Sequence, residues 1–170
     1  PWANKAELCI GLTKEAVRKD MKESDSPIRL WDHCLERRAQ TNNLTACNLF
    51  SLHGHNTHFT VTGDKGDISN FAKKWHDWCH FREQKEKEQL GRVPGPAKGA
   101  GNEMCQWILK ANGQVVPRQP VRPLRTDELH AAHEIKKRNI FDALIEKDGE
   151  TQSIHQDPIQ NFDVKREILT

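Results

Sequence analysis

Ile108-Leu-Lys-Ala-Asn-Gly-Gln-Val-Val116 is the stretch that decides the fold. Two short apolar runs flank Ala111-Asn112-Gly113, and Asn-Gly tolerates the positive φ of a tight primed turn, so the segment reads as a β-hairpin. On its N-terminal side, Trp75, Cys79 and Phe81 lie on alternate positions of a strand. Leu90–Val93, Met104–Leu109 and Gly113–Val116 follow as short strands, separated by Gly- and Pro-rich turns. Such spacing predicts a small antiparallel barrel or meander over residues 73–125.

Helices are expected on both sides of it. Over residues 4–23, Ala6, Ile10, Val17 and Met21 form one apolar stripe at helical spacing. Asn4 stands as the N-cap, with Glu7 three residues on, the capping-box distance. Ser24–Pro27 breaks the pattern. Ser26 then caps a second helix over 27–41, with Pro27 at its first position, where a missing N–H costs nothing. Leu30, Trp31, Cys34, Leu35 and Arg38 give that helix an apolar face with a basic edge. Residues 44–72 are less regular. Leu49, Phe50, Leu52, Phe59 and Val61 are candidates for burial, and Asp67–Phe71 reads as a short helical turn. Thr126 caps a last helix running to Asp148, with Leu129, Ile135 or Lys136, Ile140, Phe141 and Leu144 as its inner face. Residues 149–170 show no period. The expected class is therefore α+β, in three parts: 1–72, 73–125 and 126–170.

The 170 residues are polar, with 35 % hydrophobic and 29 % charged side chains and a mean hydropathy of -0.83. No apolar run approaches the ~18 residues of a membrane span, so no membrane partner is expected. The first residue is Pro1, which suggests a piece of a longer product. The five cysteines, at 9, 34, 47, 79 and 105, are odd in number and form no metal knuckle. A disulfide framework is thus not expected, and an intracellular setting is. The net charge is only +2, but it is unevenly spread. Residues 73–125 hold 11 basic and 5 acidic side chains, whereas residues 126–170 hold 6 and 10. A basic middle is a weak footprint for phosphate.

Three constellations bear on chemistry. Glu7, Lys14 and Arg18, seven and four residues apart, share one helical face. A carboxylate beside two cations suits a hard metal ion and a phosphate backbone, but an ordinary capping Glu on a solvated helix explains it as well. His53, His55 and His58 are three potential zinc ligands without a fourth at a usual spacing, which favours exposed or partly packed imidazoles. The third constellation is the basic segment itself: Lys73, Lys74, Arg82, Lys98, Lys110, Arg118, Arg122 and Arg125, interleaved with Trp75, Trp78 and Trp107. Those tryptophans either stack on bases or pack under a sheet. Nothing resembles a nucleophile elbow, a phosphate-cradling glycine loop or a redox pair.

Taken in order, PWANKAE, SPIRLWDHCLERRA, GDKGDISNF, WHDWCHFRE, LGRVPGP, ILKANGQVV and VRPLRTDEL resemble the integrase region of a copia-type LTR retrotransposon polyprotein, from Pro1 to about Leu144. The resemblance implies the end of an RNase H-like catalytic core, followed by a small β module. It also implies a triad of two aspartates and a glutamate that holds two Mg2+ or Mn2+ ions for DNA integration. Glu7 matches the position of the triad glutamate, as catalytic and metal-ligating residue. Lys14 and Arg18 match basic residues that contact DNA ends, and Lys110, Arg118, Arg122 and Arg125 are the expected DNA contacts of the β module. The implied partners are DNA and the remainder of the polyprotein, with oligomers only in the full integrase and a nuclear location.

Two departures qualify these expectations. The triad aspartates precede the glutamate in that family, and no equivalent pair precedes Glu7 here. One carboxylate cannot hold two ions that each need about six oxygens, so the chain alone is expected to be inactive. Thr57-His58 stands where the family has Pro-Glu, and Lys74-Trp75-His76-Asp77-Trp78 where it has a glycine and then Trp-Tyr-Asp-Trp. The alternatives to an integrase fragment are a non-catalytic nucleic-acid-binding module and a degenerate transposon relic.

Overall fold

The computed structural model describes residues 2–45, 53–83, 87–100 and 104–152. The architecture is α+β, with helices before and after a five-stranded antiparallel sheet. Helix α1 spans Trp2–Glu23 and α2 spans Trp31–Leu44, entered through a 3-10 turn at Ile28–Leu30. A short helix α3 covers Thr57–Thr62. The strands are β1 (Asp77–Phe81), β2 (Gln89–Pro96), β3 (Gln106–Leu109), β4 (Val115–Arg118) and β5 (Val121–Pro123). Helices α4 (Thr126–His130) and α5 (Ala132–Gln152) close the described chain.

The strand order is β4-β3-β2-β1-β5, a meander whose last strand returns beside the first. The sheet is open, not the closed barrel that one reading of the strand spacing allowed. Its edges, β4 and β5, share no ladder, although only Gln119 and Pro120 separate them in the chain. Such a link spans at most ~11 Å between Arg118 and Val121, so the sheet must curl to bring its edges together. Pro117 on β4 and Pro123 on β5 lack N–H donors, which suits them to edges and works against closure. In β2, Pro94 lies where the pairing with β3 shifts by one residue between Arg92 and Gly95. That is a bulge at a residue with no hydrogen to give.

Period-two alternation sends side chains to two separate cores. Cys79, Phe81, Val93 and Ile108 pack inside the curl, with Val121 against them. The outer face meets the helices: Leu109 joins Val17, Met21, Leu30, Cys34, Trp75, Phe141 and Ile145. This cluster draws on α1, α2, the sheet and α5 together. Gly91 permits the close approach of strands inside the curl. A Cβ there would sit 2.8 Å from Ile108 Cγ2 and 3.0 Å from the Leu109 carbonyl oxygen. Trp75 lies in the helix-side core rather than in line with Cys79 and Phe81. His76 between them has φ +58°, and this left-handed residue breaks the alternation before β1 begins.

Several local expectations need correction. α1 begins at Trp2, so Asn4 lies inside the helix and caps nothing. Of its predicted stripe, Val17 and Met21 are buried, whereas Ile10 is exposed. Ser26 does not cap the second helix; its hydroxyl accepts a hydrogen bond from Trp75 Nε1 at 3.1 Å. Val61 is 79 % exposed rather than buried, on a helix capped by Asn56, whose side chain accepts from Phe59 N at 2.7 Å. The helical turn expected near Asp67 is present as a 3-10 turn at Ser69–Phe71. Leu49, Phe50 and Leu52 lie outside the described residues, as does the tail beyond Gln152.

The β3–β4 hairpin also differs from the expected two-residue turn. Gly113 N donates to Lys110 O and Lys110 N to Gln114 O, both at 2.9 Å. Only Gly113, at φ +78°, adopts the left-handed region; Asn112 does not. This is a three-residue loop ending in a glycine, the bulged alternative to the primed turn. The last helix is broken at Ala131, and Arg125, not Thr126, holds the N-cap position of α4, where its N–H donates to the Glu128 carboxylate at 2.8 Å. In α5 the inward residues are Glu134, Phe141 and Ile145, while Ile140 is 62 % exposed and Leu144 and Lys136 face solvent.

Candidate nucleic-acid interface

Of the basic residues expected to meet DNA, Lys110, Arg118, Arg122 and Arg125 pair with carboxylates around the sheet, whereas Lys14 and Arg18 lie on α1. Glu83, just past β1, accepts from Lys110 Nζ and from Arg118 Nη2, each at 2.8 Å. Lys110 and Arg118 lie on the β3–β4 hairpin, which has no ladder with β1, so this carboxylate spans the curl by ion pairs instead of backbone bonds. Arg122 on β5 bonds Glu128 at 2.7 Å and reaches Glu88 at 3.4 Å, and Glu88 also pairs with Arg82 at 3.6 Å. Arg125 meets Glu128 at 3.5 Å. The result is a belt of five cations on three carboxylates.

The pairing has electrostatic consequences. Hydrogen bonds from Lys110 and Arg118 hold the Glu83 carboxyl below the usual carboxylate range. Those from Arg122 and the Arg125 N–H take Glu128 down to about 2. Each arginine has five N–H donors, so a carboxylate on one side leaves donors for a phosphate on the other.

The tryptophans pack against protein. Trp75 is buried. Trp78 lies between the Arg92 guanidinium, 3.5 Å from its ring centroid, and Phe141, edge-on at 5.2 Å. Trp107 faces His33 at 5.6 Å. Of the two roles open to them, packing is the one their surroundings favour.

Glu7, Lys14 and Arg18 do share a face of α1, but Glu7 stands on its outer part, where residues 4–12 are all exposed. Among the described residues, no group of three or more His, Cys, Asp or Glu side chains is arranged to hold a metal ion. A single solvated carboxylate does not fit a site for two divalent ions, and no chemistry through them is assigned to these residues. His53 and His55 are exposed. His76 and His80, by contrast, are buried. His76 Nδ1 donates to Ser24 O at 3.3 Å, and burial beside Arg92 drives its pKa down to about 3. His80 Nε2 stands 3.7 Å from the buried Glu134 carboxylate, whose other oxygen accepts from Lys137 Nζ at 2.6 Å. His76 precedes β1, where its positive φ breaks the alternation, and His80 lies on the face that Glu134 of α5 meets.

Sequence reading missed a cleft where α1, α2 and the start of the sheet meet. It encloses about 570 Å3 and is lined by Arg37, Arg38, Lys74, His76 and Arg92. Its arginines come from distant parts of the chain, so no local pattern announces it. Comparison of the chain with protein-family models, with curated proteins and with solved structures gives no match.

Proposed function

We propose that this chain is a nucleic-acid-binding segment of a retrotransposon integrase, engaged in DNA integration within a longer polyprotein and without catalytic activity of its own. The observation that carries the reading is the belt of Arg82, Lys110, Arg118, Arg122 and Arg125 on the curled sheet. Cations from separate strands gather in two groups, Lys110 and Arg118 on Glu83 and Arg82, Arg122 and Arg125 on Glu88 and Glu128, the type of charge a phosphate backbone requires. The ordered motifs agree with it: WHDWCHFRE contains β1, LGRVPGP lies within β2, ILKANGQVV spans the β3–β4 hairpin, and VRPLRTDEL runs from β5 into α4. The reading leaves phosphodiester chemistry and its Mg2+ or Mn2+ ions to residues other than those described.

The test is retention of duplex DNA by the purified chain as salt is raised. Log affinity should fall linearly with log salt, and Lys110→Gln with Arg118→Gln should reduce the slope by about two, close to one per lost phosphate contact. Salt-independent retention, or a slope unchanged by both substitutions, would reject it. A slope of zero with no retention at low salt would leave a relic as the better description.

A further inference from the structure

The cleft between helices and sheet has an unbalanced set of donors. Arg38 pairs with Asp20, and Arg92 with Asp142 at 2.9 Å. Arg37 has no carboxylate partner among the described residues. Its Nη2 donates to the carbonyls of Lys73 at 2.5 Å and Phe71 at 3.5 Å, while its Nη1 is buried with no acceptor. Arg38 Nε and Arg92 Nε are likewise buried and unbonded. The carboxylates bordering the same space are each engaged, two of them within the cleft: Asp20 on Arg38, Asp77 on the Lys74 N–H at 3.1 Å, and Glu23 on Lys19 at 3.8 Å. Lys74 stands exposed at the mouth.

Burial costs the Arg37 guanidinium more than the nearby charges of Asp20 and Asp77 return, and unmade N–H bonds add to the cost. One group removes both. We infer that the cleft is a phosphate-binding site in which Arg37, Arg38 and Lys74 hold a tetrahedral oxyanion. Arg37 Nη1 and Arg38 Nε are the unbonded donors for its oxygens, and the flexible lysine closes over the remaining one as a point charge. Arg92 contributes positive potential from the floor, already fixed by Trp78 and Asp142. The cleft is separate from the belt on the sheet and shares no residue with it.

The experiment titrates the 170-residue chain with inorganic phosphate at constant ionic strength, read by thermal stabilisation and by phosphorus NMR line width. Saturable stabilisation is expected. Lys74→Gln, at an exposed position that leaves the fold intact, should weaken binding about tenfold, the loss of one charge-assisted hydrogen bond. Arg37→Gln should remove it, with a retained circular dichroism spectrum separating that result from misfolding. Lys136→Gln, on the solvent side of α5, should change nothing. Competition then distinguishes the source of the phosphate. Displacement by a 5′-phosphorylated oligonucleotide but not its 5′-hydroxyl form assigns a terminal phosphate, displacement by both assigns the backbone, and displacement by neither assigns a free anion. Stabilisation equal to that given by sodium chloride, or binding unchanged in both Lys74→Gln and Arg37→Gln, overturns the inference. Loss of DNA retention through the belt would leave it standing.

Discussion

The Arg92 guanidinium lies over the Trp78 ring, 3.5 Å from its centroid, and the two residues are direct partners across the β1–β2 ladder. The same guanidinium reaches Asp142 on α5 at 2.9 Å and donates to the His76 carbonyl at 3.2 Å. One side chain thus joins two strands, the last helix and the turn before β1. Arg92→Lys keeps the charge but loses the planar stack and the forked bonds. It should cost about 1–2 kcal/mol in urea unfolding, more than Asp142→Asn, where the carboxylate lost is itself half in water. Equal stability of Arg92→Lys and the parent would show the stack to be incidental.

His76 makes folding sensitive to acid. In the folded chain its pKa is lowered to about 3 by burial and by Arg92, against 6.5 for a free imidazole. The unfolded chain therefore binds a proton below pH 6.5 that the folded chain refuses. Stability should be undiminished above that pH and should fall by up to about 1.4 kcal/mol per unit as the pH drops from 6.5 towards 3. His76→Asn keeps a residue tolerant of the left-handed conformation and cannot titrate. Its stability profile between pH 6.5 and 4 should be flatter than the parent's, and identical profiles would contradict the account.

The inner face of α5 separates two neighbouring residues. Phe141→Ala empties a site shared with Trp78 and the helix-side core, and should cost about 3–5 kcal/mol by chemical denaturation. Ile140→Ala, next to it but turned to solvent, should stay within about 0.5 kcal/mol.

Glu83 offsets the charge of Lys110 and Arg118, each held at 2.8 Å, and so weakens their pull on a phosphate. Glu83→Gln should release both cations and raise DNA retention at low salt, with a steeper decline as salt is added. Retention unchanged by the substitution would separate these two cations from the nucleic-acid surface.

The parts legible in the sequence are those whose signal is local. Val17 and Met21 are four apart and meet α2 together; Cys79 and Phe81 alternate into the curl; Gly113 marks the hairpin. On α5 Phe141 is legible, but Ile145 and Glu134 are not, because Ile135, Ile140 and Leu144 compete with them around the whole helix. What turns it inward at Glu134 is His80, on a strand 54 residues earlier. The curl was only half legible, since nothing local says that Glu83 will meet Arg118. Similarly, Arg37, Lys74 and Arg92 become neighbours only through the packing of α2 on β2, so the cleft had no linear signature.

The outer turns of α1 leave Leu8, Ile10 and Leu12 more than half exposed among the described residues. At 1.5 Å per residue, the stretch from 4 to 12 projects about 13 Å past the last anchored turn. Without tertiary support so short a stretch is marginal as a helix. Its amide hydrogens should therefore exchange with deuterium through fraying, orders of magnitude sooner than those beside Val17, so that one continuous rod contains two regimes of motion.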